Sequence, residues 1–316
     1  MDWGDFDGDS DMDLALGSSA GATVYRNEAG NLQKLGESLG EDTYGVRWAD
    51  LNNDHQLELI AVGGNISSTD PLTTGFNYIY GLNEYGDFAQ LESFNSKYQL
   101  VRVAPGDYNG DGYLDLVAST NGINVSCGVE LYTNTWAING TFFSGPDQCV
   151  SEQATASVVP GDYDNDDDID LALGGFPNQV KLVKNIRNGA VLTNSELFGG
   201  FVSLDDSLSF LPYDFAWGDY NGDGFLDLAA AFPSERKIRV YANPGIHANA
   251  GSWPFEEIIA DSFLTPLSLD WGDVDGDGRI DLAVADSPPV VYRYVEGHGF
   301  SRIELLYPPD LYSGQV

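Results

Sequence analysis

Basic residues are scarce in this chain of 316 residues. Only 14 Lys and Arg stand against 49 Asp and Glu, which gives a formal net charge of −35. A nucleic-acid-binding protein needs a basic surface for the phosphates, and docking on an anionic membrane needs basic side chains as well. The sequence has no run of about 18 apolar residues that would span a bilayer. These absences exclude nucleic-acid binding and membrane insertion, while 42% hydrophobic residues suffice for a large core.

Recognisable catalytic motifs are missing too. The three histidines, His55, His247 and His298, lie far apart in the sequence and have no metal-ligand partner at close spacing. There is no nucleophile elbow, no phosphate-binding loop, no HExxH and no CxxC. We therefore predict that the chain is not an enzyme.

The chain does contain acidic side chains, gathered into six short segments that we call acidic loops 1 to 6. Each fits D-x-[DN]-x-D-x-x-x-[DE], with oxygen-bearing side chains at loop positions 1, 3, 5 and 9. Position 4 is always Gly or Asn, which favours a left-handed backbone and a sharp turn. The candidate ligands are Asp5, Asp7, Asp9 and Asp13; Asp50, Asn52, Asp54 and Glu58; Asp107, Asn109, Asp111 and Asp115; Asp162, Asp164, Asp166 and Asp170; Asp219, Asn221, Asp223 and Asp227; and Asp273, Asp275, Asp277 and Asp281.

This arrangement of carboxylates predicts calcium. Like charges in one tight turn repel unless a cation lies among them, and Ca²⁺ accepts roughly six to eight oxygen ligands at flexible geometry. We expect up to six Ca²⁺ ions, one per loop. An EF-hand is excluded because position 12 is always apolar, where a bidentate Glu is required, and because the flanking segments are typical of strands. Six solvated acidic turns are the alternative.

The loops recur at a regular spacing. They begin at residues 5, 50, 107, 162, 219 and 273. A short strand leads into each loop and three more follow it, which is the pattern of a β-propeller blade. We predict an all-β fold: one domain over residues 1–316, with six four-stranded antiparallel blades. Residues 312–316 are expected to complete the strand that residues 1–4 begin. A seven-bladed propeller and a β-turn solenoid are alternatives, and because the chain starts inside a motif we expect it to be part of a longer protein.

These repeats resemble the FG-GAP/VCBS family, the calcium-loop propeller repeats of integrin α-subunit heads and many bacterial surface proteins. The resemblance covers essentially the whole chain and implies that positions 1, 3, 5 and 9 bind calcium. Similar repeats form some lectins and the catalytic domain of some rhamnogalacturonan lyases. Three loops lack the family's Gly at position 6, where they carry Ser10, His55 and Asp167. The second loop also ends in Glu58, so we expect it to be the weakest site.

The tryptophans fall into two groups. Four of them lie two residues before the first Asp of a loop and are expected to pack between neighbouring blades: Trp3, Trp48, Trp217 and Trp271. Trp136 and Trp253 lie in turns between third and fourth strands, where we expect them to be exposed. Exposed aromatic rings can stack on sugars, so these two are weak candidates for ligand binding.

The two cysteines, Cys127 and Cys149, flank the outer hairpin of the third repeat. Their midpoint, residue 138, lies where the turn is expected, so the two residues should face each other. We predict a disulfide, with two buried free thiols as the alternative. A disulfide is typical of oxidising, extracellular compartments.

Three functional classes agree with these features. The first is a recognition or adhesion module that binds a glycan or a protein. The second is a self-assembling structural unit of a surface layer, filament or multidomain protein, and the third is a polysaccharide lyase-like enzyme. We favour the first. Calcium sites of the affinity found in extracellular modules would stand largely empty in the cytosol, so we expect an extracellular or cell-surface location.

Overall fold

The computed structural model describes residues 1–63, 75–96, 98–120, 126–153, 155–175, 179–187, 197–205, 208, 210–245, 253–259, 265–286, 289–295 and 297–303. These residues form six sheets, each of four antiparallel strands in sequential order, and one short helix, α1 (Trp136–Asn139). The predicted all-β fold with six four-stranded blades is confirmed. Within the described ranges, no helix has the length and apolar character needed to cross a membrane.

The blades follow one another along the chain. The strands of blades 1 to 3 are β1 (Asp2–Gly4), β2 (Asp13–Ser18), β3 (Gly21–Glu28), β4 (Asn31–Leu39); β5 (Thr43–Ala49), β6 (Glu58–Gly63), β7 (Gly75–Leu82), β8 (Phe88–Ser96); and β9 (Leu100–Gly106), β10 (Asp115–Thr120), β11 (Val129–Tyr132), β12 (Gln148–Ser151). The strands of blades 4 to 6 are β13 (Thr155–Gly161), β14 (Asp170–Gly175), β15 (Gln179–Asn185), β16 (Phe198–Asp205); β17 (Asp214–Gly218), β18 (Asp227–Phe232), β19 (Lys237–Tyr241), β20 (Phe255–Ile259); and β21 (Ser268–Gly272), β22 (Asp281–Ala285), β23 (Val290–Val295), β24 (Gly299–Ile303).

The second strands form the interior of the molecule. β6, β10 and β18 are buried along their whole length. A strand covered on both faces reads as a continuous apolar run instead of an alternating pattern. This explains the Leu, Ala, Val and Ile residues that follow each acidic loop, and every loop leads into a strand whose first two residues are buried.

Five hydrophobic clusters join successive blades from blade 1 to blade 6. In the first of them, the ring of Phe6 at loop position 2 stacks on Trp48 of the next blade at 5.4 Å. Trp48 also lies against Gly4, where an added Cβ would come within 2.8 Å of the indole. The same stacking recurs between Tyr163 and Trp217 and between Tyr220 and Trp271. Inter-blade packing is therefore confirmed for three of the four tryptophans.

Trp3 is different, because it remains 46% exposed. By the repeat pattern, the partner of Trp3 would be the position-2 residue of loop 6, Val274, which is 51% exposed. The position-2 residues of the other five loops are buried. No hydrophobic cluster of the described residues joins blade 6 to blade 1. The predicted closing segment, residues 312–316, lies outside the described residues.

The predicted disulfide between Cys127 and Cys149 is present, with the two Cα atoms 5.7 Å apart. The strand register is not the symmetric one expected from the sequence. Cys149 lies opposite Glu130, and the pairing of β11 with β12 shifts between Val129 and Glu130. The connection between these two strands also contains α1, so it is not a simple hairpin turn.

The predicted exposure of Trp253 is wrong. This side chain is 1% exposed and belongs to the cluster between blades 4 and 5, where its ring lies 6.0 Å from that of Tyr163. Trp136, at the start of α1, is partly buried and stacks on Phe142 at 4.6 Å. Both indoles therefore pack against other aromatic rings, and Trp253 offers no surface for a sugar ring.

Candidate metal sites

Each acidic loop connects the first strand of a blade to the second. All six loops have a left-handed backbone at position 4, as predicted: Gly8, Asn53, Gly110, Asn165, Gly222 and Gly276. Position 6 is also left-handed in every loop, including Ser10, His55 and Asp167, which have φ of 75°, 69° and 67°. Side chains at such positions are strained, so the three loops without Gly at position 6 fold at an energetic cost.

The position-1 carboxylate organises the turn. Asp219 accepts hydrogen bonds from the backbone N–H groups of Gly222, Asp223 and Gly224 at 2.8, 3.0 and 2.9 Å. Asp5, Asp107 and Asp273 make the same three contacts in their own loops. An Asp at position 1 therefore has a structural role that does not depend on a metal ion.

The position-9 carboxylate is the buried end of each loop. Asp227 is fully buried and accepts the N–H of Tyr220 at 3.2 Å and that of Asn243 at 2.7 Å. Burial raises the pKa of Asp227 to about 7, that of Asp170 to about 8 and those of Asp115 and Glu58 to about 7. A buried carboxylate without a counter-ion is costly, so a cation beside it would stabilise its ionised form.

Three asparagines that the sequence interpretation did not identify connect neighbouring loops. Asn243 donates from Nδ2 to the carbonyl oxygen of Tyr163 in the preceding blade at 2.7 Å and to that of Leu226 at 3.0 Å. Asn134 and Asn185 bridge their blades in the same way. Their signal in the sequence is an Asn two residues after the Tyr or Val that pairs with loop position 10.

Positions 1, 3 and 9 converge in the loops that have Asp at position 3. In each, the three residues offer carboxylate oxygens that all lie within 4.8 Å of one another: Asp5, Asp7 and Asp13; Asp162, Asp164 and Asp170; Asp273, Asp275 and Asp281. Asp164 Oδ1 is buried and has no hydrogen-bond partner in the structure. A set of oxygen donors with one unsatisfied buried oxygen fits a hard divalent cation such as Ca²⁺.

The position-5 carboxylates are not members of these groups of three. They accept the N–H of position 7, as Asp223 does from Phe225 at 3.0 Å. All 24 candidate ligands lie in the described residues, and in loops 1, 4 and 6 the structure brings positions 1, 3 and 9 together. In loops 2, 3 and 5 an amide replaces the third carboxylate, and Asn52 Nδ2 donates to Glu58 Oε1 at 3.1 Å.

Position 3 has two kinds of surroundings. Where it is Asp, a basic side chain from the third strand pairs with it: Arg26 Nε lies 2.8 Å from Asp7, Lys184 contacts Asp164, and Arg293 contacts Asp275. Where position 3 is Asn, the residue at the same strand position is uncharged. It is Gly81 in blade 2, Thr133 in blade 3 and Ala242 in blade 5.

Apart from the acidic loops, the structure contains a cavity on the propeller axis. A cavity of about 780 Å³ is lined by residues of all six blades, among them Arg47, Arg102, Tyr213 and Asp214. Arg102 reaches from blade 3 to Asp214 in blade 5, with 3.1 Å between Nη1 and Oδ1. Asp214 also accepts from Ser268 Oγ of blade 6 at 2.8 Å. The first of these contacts connects blades 3 and 5, which are not neighbours, and two of the few basic residues, Arg47 and Arg102, line the cavity.

Comparisons with known proteins agree with this architecture. A family model described as "FG-GAP-like repeat" matches residues 5–61, 107–173, 162–230 and 219–284, which is more than half of the chain. No curated protein matches the chain in sequence.

Two solved structures show the same fold. A periplasmic gluconolactonase of Pseudomonas aeruginosa is 15% identical, with a TM-score of 0.60 over 92% of this chain and 82% of that chain. BBS1N, in a complex with ARL6DN, is also 15% identical, with a TM-score of 0.56 over 92% of this chain and 76% of that chain. At this identity the likeness concerns the fold alone.

Proposed function

Because this chain belongs to the FG-GAP-like repeat family, as its four repeat matches show, we propose that it is an extracellular calcium-binding propeller that serves as a recognition or adhesion module for a glycan or a protein. The observation that carries the calcium part is the convergence of carboxylate oxygens at positions 1, 3 and 9. The disulfide between Cys127 and Cys149 supports a compartment outside the cytosol.

Calcium would be held by the side-chain oxygens at positions 1, 3, 5 and 9. The ion supplies positive charge where buried and half-buried carboxylates otherwise repel. At about tenfold excess over its dissociation constant, each bound ion adds ~1.4 kcal/mol to the free energy of unfolding. Several occupied loops would therefore rival the whole stability of an ordinary domain.

The axial cavity is the surface that we propose for the ligand. It is concave, it has the volume of a small-molecule site, and it combines Arg47 and Arg102 with the half-exposed ring of Tyr213. Guanidinium groups bind carboxylates and hydroxyl groups, and aromatic rings cover apolar ligand faces. No catalytic role is included, because calcium binding accounts for the paired carboxylates.

The first test is a melting curve at fixed ionic strength with calcium, with magnesium and with a chelator. We expect the chelator to lower Tm by roughly 10 °C or more, and magnesium to restore little of it. An unchanged Tm would contradict the calcium proposal. The second arm is a glycan array and an extracellular-protein array probed with the wild type and with Arg47→Ala. Ligand binding that Arg47→Ala leaves intact would remove the cavity from the proposal, and cleavage of a bound polysaccharide would favour the enzyme alternative.

A second candidate function is a self-assembling structural unit. Trp3 on β1, Met12 in loop 1 and Val274 in loop 6 are 46%, 50% and 51% exposed. Exposed apolar patches of this kind mark interaction surfaces. Light scattering during size-exclusion chromatography would show concentration-dependent oligomers, and a monomer at all concentrations would contradict this candidate.

A further inference from the structure

The six acidic loops differ at position 3, and that difference is matched by a residue on another strand. Loops 1, 4 and 6 have Asp at position 3, whereas loops 2, 3 and 5 have Asn. Loop position 10 lies on the second strand of each blade, and its pairing partner on the third strand marks an equivalent position in all six blades. These partners are Tyr25, Tyr80, Tyr132, Val183, Tyr241 and Tyr292. The next residue along that strand is basic in blades 1, 4 and 6 and uncharged in blades 2, 3 and 5.

The basic side chains contact the carboxylates and not merely the loop. Arg26 Nε lies 2.8 Å from Asp7 Oδ2. Lys184 Nζ contacts Asp164 and lies 2.8 Å from Asp166 Oδ2, so it bridges positions 3 and 5. Arg293 contacts Asp275, and its Nε lies 3.6 Å from Asp281 Oδ1 at position 9. All three side chains are at most one-third exposed, where an ion pair is less screened than on an open surface.

When only the four ligand positions and this third-strand residue are counted, the charges of the two loop classes are equal. Four carboxylates and one cation leave a net charge of −3 in loops 1, 4 and 6, and three carboxylates with one amide leave −3 in loops 2, 3 and 5. Other charged side chains lie outside this count. Asp11, Asp167 and Asp168 occupy loop positions 6 and 7, and Asp168 pairs with Arg187. In loop 6 the exposed Arg279, at position 7, pairs with the position-5 carboxylate of Asp277.

We infer that Arg26, Lys184 and Arg293 are charge-balancing residues of the metal loops, which offset the carboxylate at position 3 in the three loops where that residue is Asp. This inference rests on the proposed calcium function. The balance removes one source of difference in affinity between the two loop classes, because the attraction between a loop and a divalent cation depends on the charge around the ion. It also limits repulsion among four carboxylates before the ion binds.

The test is a charge cycle in the full chain. The triple variant R26Q/K184M/R293Q removes the three cations but keeps most of the aliphatic stems, and the triple variant D7N/D164N/D275N removes the partner carboxylates. The six-substitution combination restores −3 in every loop. R26K/R293K is the control, because it keeps the charge but changes the packing. Calorimetry with Ca²⁺ gives stoichiometry and affinity, and melting curves in chelator give the stability of the metal-free protein.

One unit charge near a divalent ion corresponds to roughly a tenfold change in affinity. We expect three sites of the cation-free triple variant to bind Ca²⁺ about tenfold more tightly, with a lower Tm in chelator. The carboxylate-free triple variant should bind about tenfold more weakly, and the combined variant should return to wild-type affinity. Wild-type affinity in the cation-free variant, or no recovery in the combined variant, would overturn the inference.

A reciprocal experiment protects against misfolding of the multiple variants. Asn109→Asp in blade 3 raises the charge of loop 3 to −4, and Asn109→Asp with Thr133→Lys supplies the missing cation. The single variant should bind one Ca²⁺ more tightly and melt lower in chelator, and the second substitution should reverse both effects. If the wild type binds no calcium at all, the proposed function fails. The melting curves of these variants in chelator would still show whether the third-strand cation offsets the carboxylate at position 3.

Discussion

Acidic loops 4 and 5 are neighbours on the propeller, and they build the same turn from different side chains. Loop 5 has Gly222 and Gly224 at its two left-handed positions, where loop 4 has Asn165 and Asp167. Loop 5 has an amide at position 3, whereas loop 4 has Asp164 paired with Lys184. Both end in a buried Asp that accepts the N–H of an inter-blade Asn. The two loops therefore share the Asp residues at positions 1 and 9. They differ in charge at position 3 and in backbone strain at positions 4 and 6.

The loops also contact each other. Asn165 Nδ2 of loop 4 donates to the carbonyl oxygen of Gly224 in loop 5 at 2.9 Å, and Asn53 makes the same bond from loop 2 to Gly112 in loop 3. The left-handed Asn at position 4 thus adds a bond between blades that Gly at this position lacks. The strain of a non-Gly residue is therefore partly offset by contacts between loops.

The largest expected effect concerns what the two loops share. Asn185→Ala and Asn243→Ala each remove an Nδ2 donor. Each variant thereby loses one hydrogen bond to a carbonyl oxygen of the preceding blade and one to a carbonyl oxygen of its own blade. We expect a loss of about 2–3 kcal/mol in the free energy of unfolding for each variant. Asn27→Ala is the matched control, because the structure shows Asn27 Nδ2 donating to the carbonyl oxygen of Met12 in its own loop. Equal losses for all three variants in urea unfolding would contradict an inter-blade role.

A smaller effect follows from the buried carboxylates at position 9. The pKa values of Asp170 and Asp227 are raised from 3.8 to about 8 and about 7 by burial. A group with a raised pKa in the folded state stabilises the protein fully below its unfolded pKa, and this contribution is lost as pH rises through the folded pKa. In chelator, Tm should therefore fall between about pH 4 and pH 8.

Calcium should oppose that fall, because the ion requires the ionised carboxylates. Asp227→Asn in chelator isolates one group, and it should flatten the pH dependence of Tm, since the amide does not titrate. Two results would contradict a pKa raised by burial. One is a metal-free protein whose Tm rises across this pH range, and the other is an Asp227→Asn variant whose Tm depends on pH as steeply as that of the wild type.

The smallest expected effect concerns the left-handed position 6, where the two loops differ. Asp167→Gly should raise the free energy of unfolding by about 1 kcal/mol, and Gly224→Asp should lower it by about the same amount. The swap tests whether strain alone separates the loops, because φ at position 6 is positive in both. Denaturant unfolding at constant calcium measures it, and two changes of the same sign would refute the argument from strain.

Much of the fold was predictable from the repeated segments. Each acidic loop is nine residues long, and its turn depends on bonds between residues at most five apart, such as those from Gly222 and Gly224 to Asp219. Local bonds of this kind leave a local signal in the sequence. The packing roles of Trp48, Trp217 and Trp271 were also predictable, because a tryptophan at the same place in four of the six repeats indicates a recurrent contact.

Trp253 was not predictable, and the reason is physical. Its position between two strands indicates an exposed turn, but its burial depends on Tyr163 and Trp217, which lie in other parts of the sequence. The bridging amides of Asn134, Asn185 and Asn243 were missed for the same reason, since each spans two blades. Strand spacing alone does not indicate which side chains meet across a blade boundary.

The sequence by itself therefore determined the six repeats, the turn of each acidic loop and the oxygen-bearing side chains at loop positions 1, 3, 5 and 9, because these are encoded within a few adjacent residues. Only the tertiary structure decided which cation meets which carboxylate. Arg26 and Asp7 are brought together by strand register, and Arg102 and Asp214 meet across the axis although 112 residues separate them. Ion pairs are short-range contacts in space, and the spatial neighbours of a strand in a propeller are set by how the blades pack.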